Sequence, residues 1–275
     1  MIRNLQKIDW FTHLVPAGAG PLFAPWSALH LLPLLAPFLL VSLAWQVLVK
    51  EFSHFAKQLP FSLLRFILSF LVVFASLTLL HMTATDDVFH CLLAALCLSP
   101  LSVVAKDREL YVLSEALLSL FYLGIAWLSL ALTTSLLGWP WILLAIPFAA
   151  LPRLVAIAKQ LEKVSYQLPS SRELLSRRKR KRRKAVLGNH PVLWLSRYFS
   201  ILLLLGPFAV LVLGYLTILP PQYLASAFLA LPVKNLVFDT RGLEAGERVP
   251  ERFRSQVAFF CLLVTLFFPL AGVLS

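Results

Sequence analysis

Negative charge is scarce in this sequence. Thirteen Asp and Glu stand against 25 Lys and Arg, and charged residues of both signs make up only 14% of 275 residues. Soluble domains carry about 25%, so a surface built wholly for water is excluded. Cysteine is also sparse: Cys91, Cys97 and Cys261 form no Cys-x-x-Cys pair, and CLLAALC sets two thiols in an apolar stretch, where they read as small core residues. His13, His30, His54, His81, His90 and His190 show no ligand spacing such as His-Glu-x-x-His, so no metal is expected. There is no P-loop, no Gly-x-Gly-x-x-Gly, and no paired Asp-rich motif for magnesium diphosphate; Asp86 and Asp87 stand alone. No cofactor and no catalytic residue are assigned, and these absences argue against an autonomous enzyme.

What is present is apolar: 59% of residues are hydrophobic, with a mean hydropathy of +0.82. Runs longer than about 17 residues need a lipid core, since a helix rises about 1.5 Å per residue and the hydrocarbon is about 30 Å thick. Eight such runs occur, at 28–49, 61–81, 88–105, 110–137, 139–158, 192–219, 222–238 and 256–274. They are apolar on every face, which excludes the alternating pattern of a barrel and predicts an all-α polytopic bundle. Residues 1–27 form an N-terminal non-cytoplasmic or interfacial segment before it. Pro33, Pro37, Pro100, Pro147, Pro207 and Pro269 fall inside the runs, so kinked helices are expected whose freed carbonyls find donors on neighbouring helices. No cleavable signal peptide is expected, because the first run is long enough to span and lacks a small-residue cleavage site.

Charge sets the orientation. Cytoplasmic loops carry the Lys and Arg excess, and the alternate segments 50–60, 106–109, 159–191 and 239–255 hold nineteen of the 25. The opposite set holds only Arg3 and Lys7. This alternation predicts eight helices with both termini on the non-cytoplasmic side. The cytoplasmic loop 159–191 contains eight consecutive cations: Arg177, Arg178, Lys179, Arg180, Lys181, Arg182, Arg183 and Lys184. This run suits a topology signal that also attracts anionic headgroups, or a dock for an acidic soluble partner. No aromatic platform accompanies it, which argues against nucleic acid.

Five ionisable residues lie at one depth, four or five residues from the expected cytoplasmic helix ends: Arg65, Glu115, Arg153, Arg197 and Lys234. Long cations can snorkel to the interface. Glu115 cannot reach far, and at about 8 Å below the helix start it needs a partner or a proton. Arg65, Arg153 and Arg197 are the expected partners. Glu115, Ser119, Tyr122, Ala126, Ser129 and Thr133 recur every three or four residues, which makes one polar or small stripe. Such a stripe is either a helix–helix seam or a polar path from the cytoplasm.

Three segments carry a family resemblance. AKDRELYVLSEALLSLFYLGIAW resembles the Ser-Arg-Glu segment and following Glu-bearing helix of the complex I subunit 1 family, which includes the membrane-anchor subunits of membrane-bound hydrogenases and formate hydrogenlyase. YQLPSSRELLS resembles the start of that family's long cytoplasmic loop, and ERVPERFRSQVAFFCLLVTLFFPLAG resembles the approach to its last helix. The family's eight-helix core has cytoplasmic loops after helices one, three, five and seven, as the charge count does here. Two features depart from it: the Gly-Pro-rich quinone loop after helix one is missing, and the acidic fifth loop has become SRRKRKRRK. Quinone reduction and proton input are the two family properties that these departures touch, and the resemblance leaves both open.

What the resemblance implies is a membrane-anchor subunit in a bacterial inner membrane, joining a cytoplasmic module to antiporter-like membrane subunits. A reading of another class fits the same residues: a stand-alone transporter or lipid-processing protein with a cytoplasm-facing cationic site, where Arg65, Arg153 and Arg197 offer rigid donor forks to phosphate or carboxylate.

Overall fold

The structure is a computed structural model that describes residues 15–23, 31–57, 60, 62–108, 110–134 and 140–167, with isolated residues between 194 and 216. The described residues form six helices: α1 Ala19–Phe23, α2 Leu32–Ala56, α3 Leu63–Thr83, α4 Asp86–Asp107, α5 Tyr111–Thr134 and α6 Pro140–Gln167. No strand occurs among the described residues. Among the described residues four helices, α2 to α5, are long and apolar enough to cross a membrane, which makes the chain a helical integral membrane protein. The expected runs 222–238 and 256–274 lie outside the described residues, and 192–219 is described only at isolated positions.

Helix boundaries follow local chemistry. α2 begins with Pro33 in its first turn, where a missing N–H costs nothing. It runs to Ala56, seven residues past the end of the apolar run, and Pro60 bars further helix. α4 opens on Asp86 and Asp87, whose carboxylates suit the positive end of the helix dipole. α6 continues nine residues beyond the expected 158, although only Trp141–Ile157 is apolar.

The unit His13–Ala149 contains two antiparallel hairpins, α2 with α3 and α4 with α5. Its core joins Phe38 and Val41 of α2, Val73 and Leu80 of α3, Leu92 and Leu96 of α4, and Phe121, Ile125 and Leu128 of α5. α3 turns the narrow seam Ser69, Val73, Ser76 and Leu80 inward and leaves most of its other apolar side chains exposed, as a lipid-facing helix should. α5 is the most enclosed of the four. It lies close on α4, where a side chain at Gly124 would touch Ala95. The second unit runs on from Ala150, and its described part is the remainder of α6 with the isolated residues after it.

Pro100 interrupts α4 and supplies no N–H to the carbonyl of Leu96, four residues earlier. The indole Nε1 of Trp45 on α2 donates to that oxygen at 2.9 Å. One proline-freed carbonyl therefore does find its donor on a neighbouring helix. The reading of both α4 cysteines as core residues is corrected: Cys91 is half-buried against the core, whereas Cys97 is exposed.

Candidate functional site

The polar stripe of α5 is filled at its far end by the chain itself. Ala126, Ser129 and Thr133 are buried. Ser129 Oγ donates to the carbonyl of Ala17 and accepts from the amide of Gly20 at 3.0 Å. Thr133 Oγ1 turns back to the carbonyls of Ser129 and Leu130, at 3.1 and 3.0 Å. A methyl group on Gly20 would overlap the Ser129 carbonyl and both branches of Thr133, so only glycine allows α1 this approach. Small residues let two helices meet closely, and the close approach lets one hydroxyl serve two backbone groups.

Nearer the start of the helix, Glu115 is buried at 7% exposure, four residues after Tyr111. Ser119 Oγ donates to the backbone carbonyl of Glu115 at 2.7 Å, so its proton is directed to the backbone. Tyr122 is buried beside Phe121 with ring centroids 5.1 Å apart. Arg153 is also buried, on α6, in the second unit. Arg197, Lys234 and the run Arg177 to Lys184 lie outside the described residues.

Arg65 is directed elsewhere. Its guanidinium Nη1 lies 3.9 Å from Oε1 of Glu51, a carboxylate whose side chain is 7% exposed against 74% for Arg65. The other oxygen of Glu51 accepts the backbone N–H of Ser62 at 3.0 Å. Ser62 is the N-cap of α3, and its hydroxyl accepts the backbone N–H of Arg65, three residues on, at 3.4 Å. In a capping box that third residue would be Glu or Gln reaching back to the cap amide. Arg65 has no acceptor to offer, so Glu51 of α2 performs the task from across the turn. His54, one helical turn after Glu51, has Nδ1 3.2 Å from the carbonyl of Pro60. A carbonyl only accepts, so Nδ1 carries the proton in this contact. The α2–α3 corner is thus closed by two polar side chains from α2.

Glu51 is not evident from hydropathy, because the apolar run stops at Val49 and consigns it to a loop. A signal was present: Phe52 and Phe55 in KEFSHFA extend the helical run until Pro60. Among the described residues no three of His, Cys, Asp and Glu come together as metal ligands do.

No protein-family model matches the chain, and neither curated proteins nor solved structures gave a match.

Proposed function

We propose that the chain is a membrane-anchor subunit of a multisubunit assembly of the complex I or membrane-bound hydrogenase kind, holding a cytoplasmic module against antiporter-like membrane subunits. The observation that supports this reading is the closure of the far end of the α5 stripe: Ser129 and Thr133 are committed to backbone carbonyls and Gly20 leaves no room for a side chain between α1 and α5. A seam filled by the chain's own backbone serves a scaffold, and a substrate path would need it open. The three resembling segments name the kind of assembly.

With this reading go eight spans, both termini on the non-cytoplasmic side, a bacterial inner membrane, and the basic run as a docking surface for an acidic partner. Long-range attraction would orient such a partner before close contacts form. Purification in gentle detergent tests the proposal. Recovery of the chain with other membrane and cytoplasmic subunits is the expected result, and a lone monomer under several gentle conditions would overturn it. The transporter or lipid-processing reading draws support from the exposed Arg65 guanidinium, and it requires activity from that lone monomer in vesicles.

A further inference from the structure

The capping arrangement at the α2–α3 corner leaves something over. Glu51 engages both oxygens, one accepting from the Ser62 amide and the other facing Arg65 as an ion pair at 3.9 Å. An Arg presents five N–H donors in a fixed fork, and this contact faces only one of its terminal nitrogens. With 74% of its side chain exposed, Arg65 has its remaining donors available outside the protein. Lys50 precedes Glu51 on α2 and is exposed. Lys50, His54 and Lys57 recur at spacings of four and three, so they share one face of the end of α2. Glu51 is the only acidic residue in the segment 50–65.

Directly beside Arg65 the surface becomes hydrocarbon. Leu64, Leu68 and Leu71 are all exposed on α3, spaced four and three apart, and so form one apolar ridge leading away from the Arg65 end of the helix. A cationic corner at the head of an apolar ridge matches an amphiphile with an anionic head and an acyl tail. A soluble acidic protein would match the charges alone.

We propose that the α2–α3 corner binds one anionic phospholipid. Its phosphate is held by Arg65 and Lys50, Glu51 positions the Arg65 guanidinium, and one acyl chain lies along Leu64, Leu68 and Leu71. The inference goes beyond the anchor reading and holds whether or not partner subunits exist.

The test uses the full chain in nanodiscs or gentle detergent, with native mass spectrometry counting retained lipid. Phosphatidylglycerol is compared with phosphatidylcholine, and inorganic phosphate serves as a competitor lacking the tail. Because the run Arg177 to Lys184 also attracts anionic lipid, every measurement is repeated with that run changed to Gln. The expected result is one retained phosphatidylglycerol per chain in both backgrounds, preferred over phosphatidylcholine and not displaced by phosphate. Combining Lys50→Gln with Arg65→Gln should weaken it about a hundredfold, the scale of two lost charge-assisted contacts. Arg65→Lys keeps the charge and loses the fork, so it should weaken retention about threefold. Lys50→Gln alone changes an exposed side chain outside the capping contacts and carries the test should the double variant not fold; it too should weaken retention. Wild-type retention in these variants, loss of the lipid when only the basic run is changed, or displacement by free phosphate would each overturn the proposal.

Discussion

Trp45 Nε1 donates to the carbonyl oxygen of Leu96 at 2.9 Å, the oxygen that Pro100 leaves without its helical donor. An unpaired carbonyl in a bundle core is costly, and an indole bears a single N–H to give. Trp45→Phe should therefore destabilise the bundle by about 1–2 kcal/mol, as removal of one partner from a buried hydrogen bond does. Pro100→Ala restores an N–H within α4. In the double variant the loss from Trp45→Phe should shrink, and a double-mutant cycle on detergent unfolding would detect that coupling. Additive effects would mean that the indole acts through packing alone.

Gly20 offers a sharper steric test. Gly20→Ala places a methyl group on the Ser129 carbonyl and Thr133, so α1 must withdraw, at a cost of about 1–3 kcal/mol. Ser129→Ala, by contrast, keeps the close approach and strands the Gly20 amide and the Ala17 carbonyl. Both variants should expose the segment around Ala17 to limited proteolysis. Protection equal to the parent chain would mean that α1 docks by other contacts.

At the α2–α3 corner, two Glu51 substitutions separate hydrogen bonding from charge. Glu51→Gln keeps an oxygen for the Ser62 amide and loses only an ion pair to a largely exposed Arg65, so the stability change should stay below about 1 kcal/mol. Glu51→Ala removes both contacts and should cost about 1–3 kcal/mol. Thermal unfolding in detergent gives the comparison. Equal losses in Gln and Ala would place the contribution in charge and not in the cap.

These contacts differ in how far the sequence disclosed them. The α5 stripe was legible because Glu115, Ser119, Tyr122, Ala126, Ser129 and Thr133 share one face by periodicity alone. What fills it was not legible, since α1 is a five-residue helix with no periodicity to read. That Pro100 requires an outside donor is dictated by covalent structure, but the choice of Trp45 depends on residues 51 positions apart. Glu51 was hidden for another reason: hydropathy marks where apolar side chains end, while the backbone of α2 continues into the polar boundary, carrying its carboxylate back toward α3.

If the run Arg177 to Lys184 docks a cytoplasmic partner, replacing four of its charges with Gln should weaken that assembly, so that it dissociates at lower salt. Membrane insertion should persist, because the remaining basic loops hold most of the residual bias. Copurified partner at rising salt gives the first quantity, and protease accessibility in vesicles gives the second. Unchanged assembly would reduce the run to a topology or lipid signal.

Glu115 separates a structural carboxylate from a proton carrier. It is buried in α5 at 7% exposure, so its carboxyl group depends on surrounding protein groups for its hydrogen bonds. Glu115→Gln keeps the shape and turns one oxygen into a two-proton donor, so any donor that met that oxygen now faces another. We expect Glu115→Gln to lower stability by about 1–3 kcal/mol and Glu115→Ala to lower it further by adding lost packing. Ser119 bears on the alternative: its hydroxyl donates to the Glu115 backbone carbonyl, so a proton leaving the carboxyl group would need that bond broken before Ser119 could carry it onward. Ser119→Ala should therefore leave proton movement in vesicles unchanged. A Glu115→Gln variant with parental stability but reduced proton movement would sink the structural assignment and make the carboxylate a carrier.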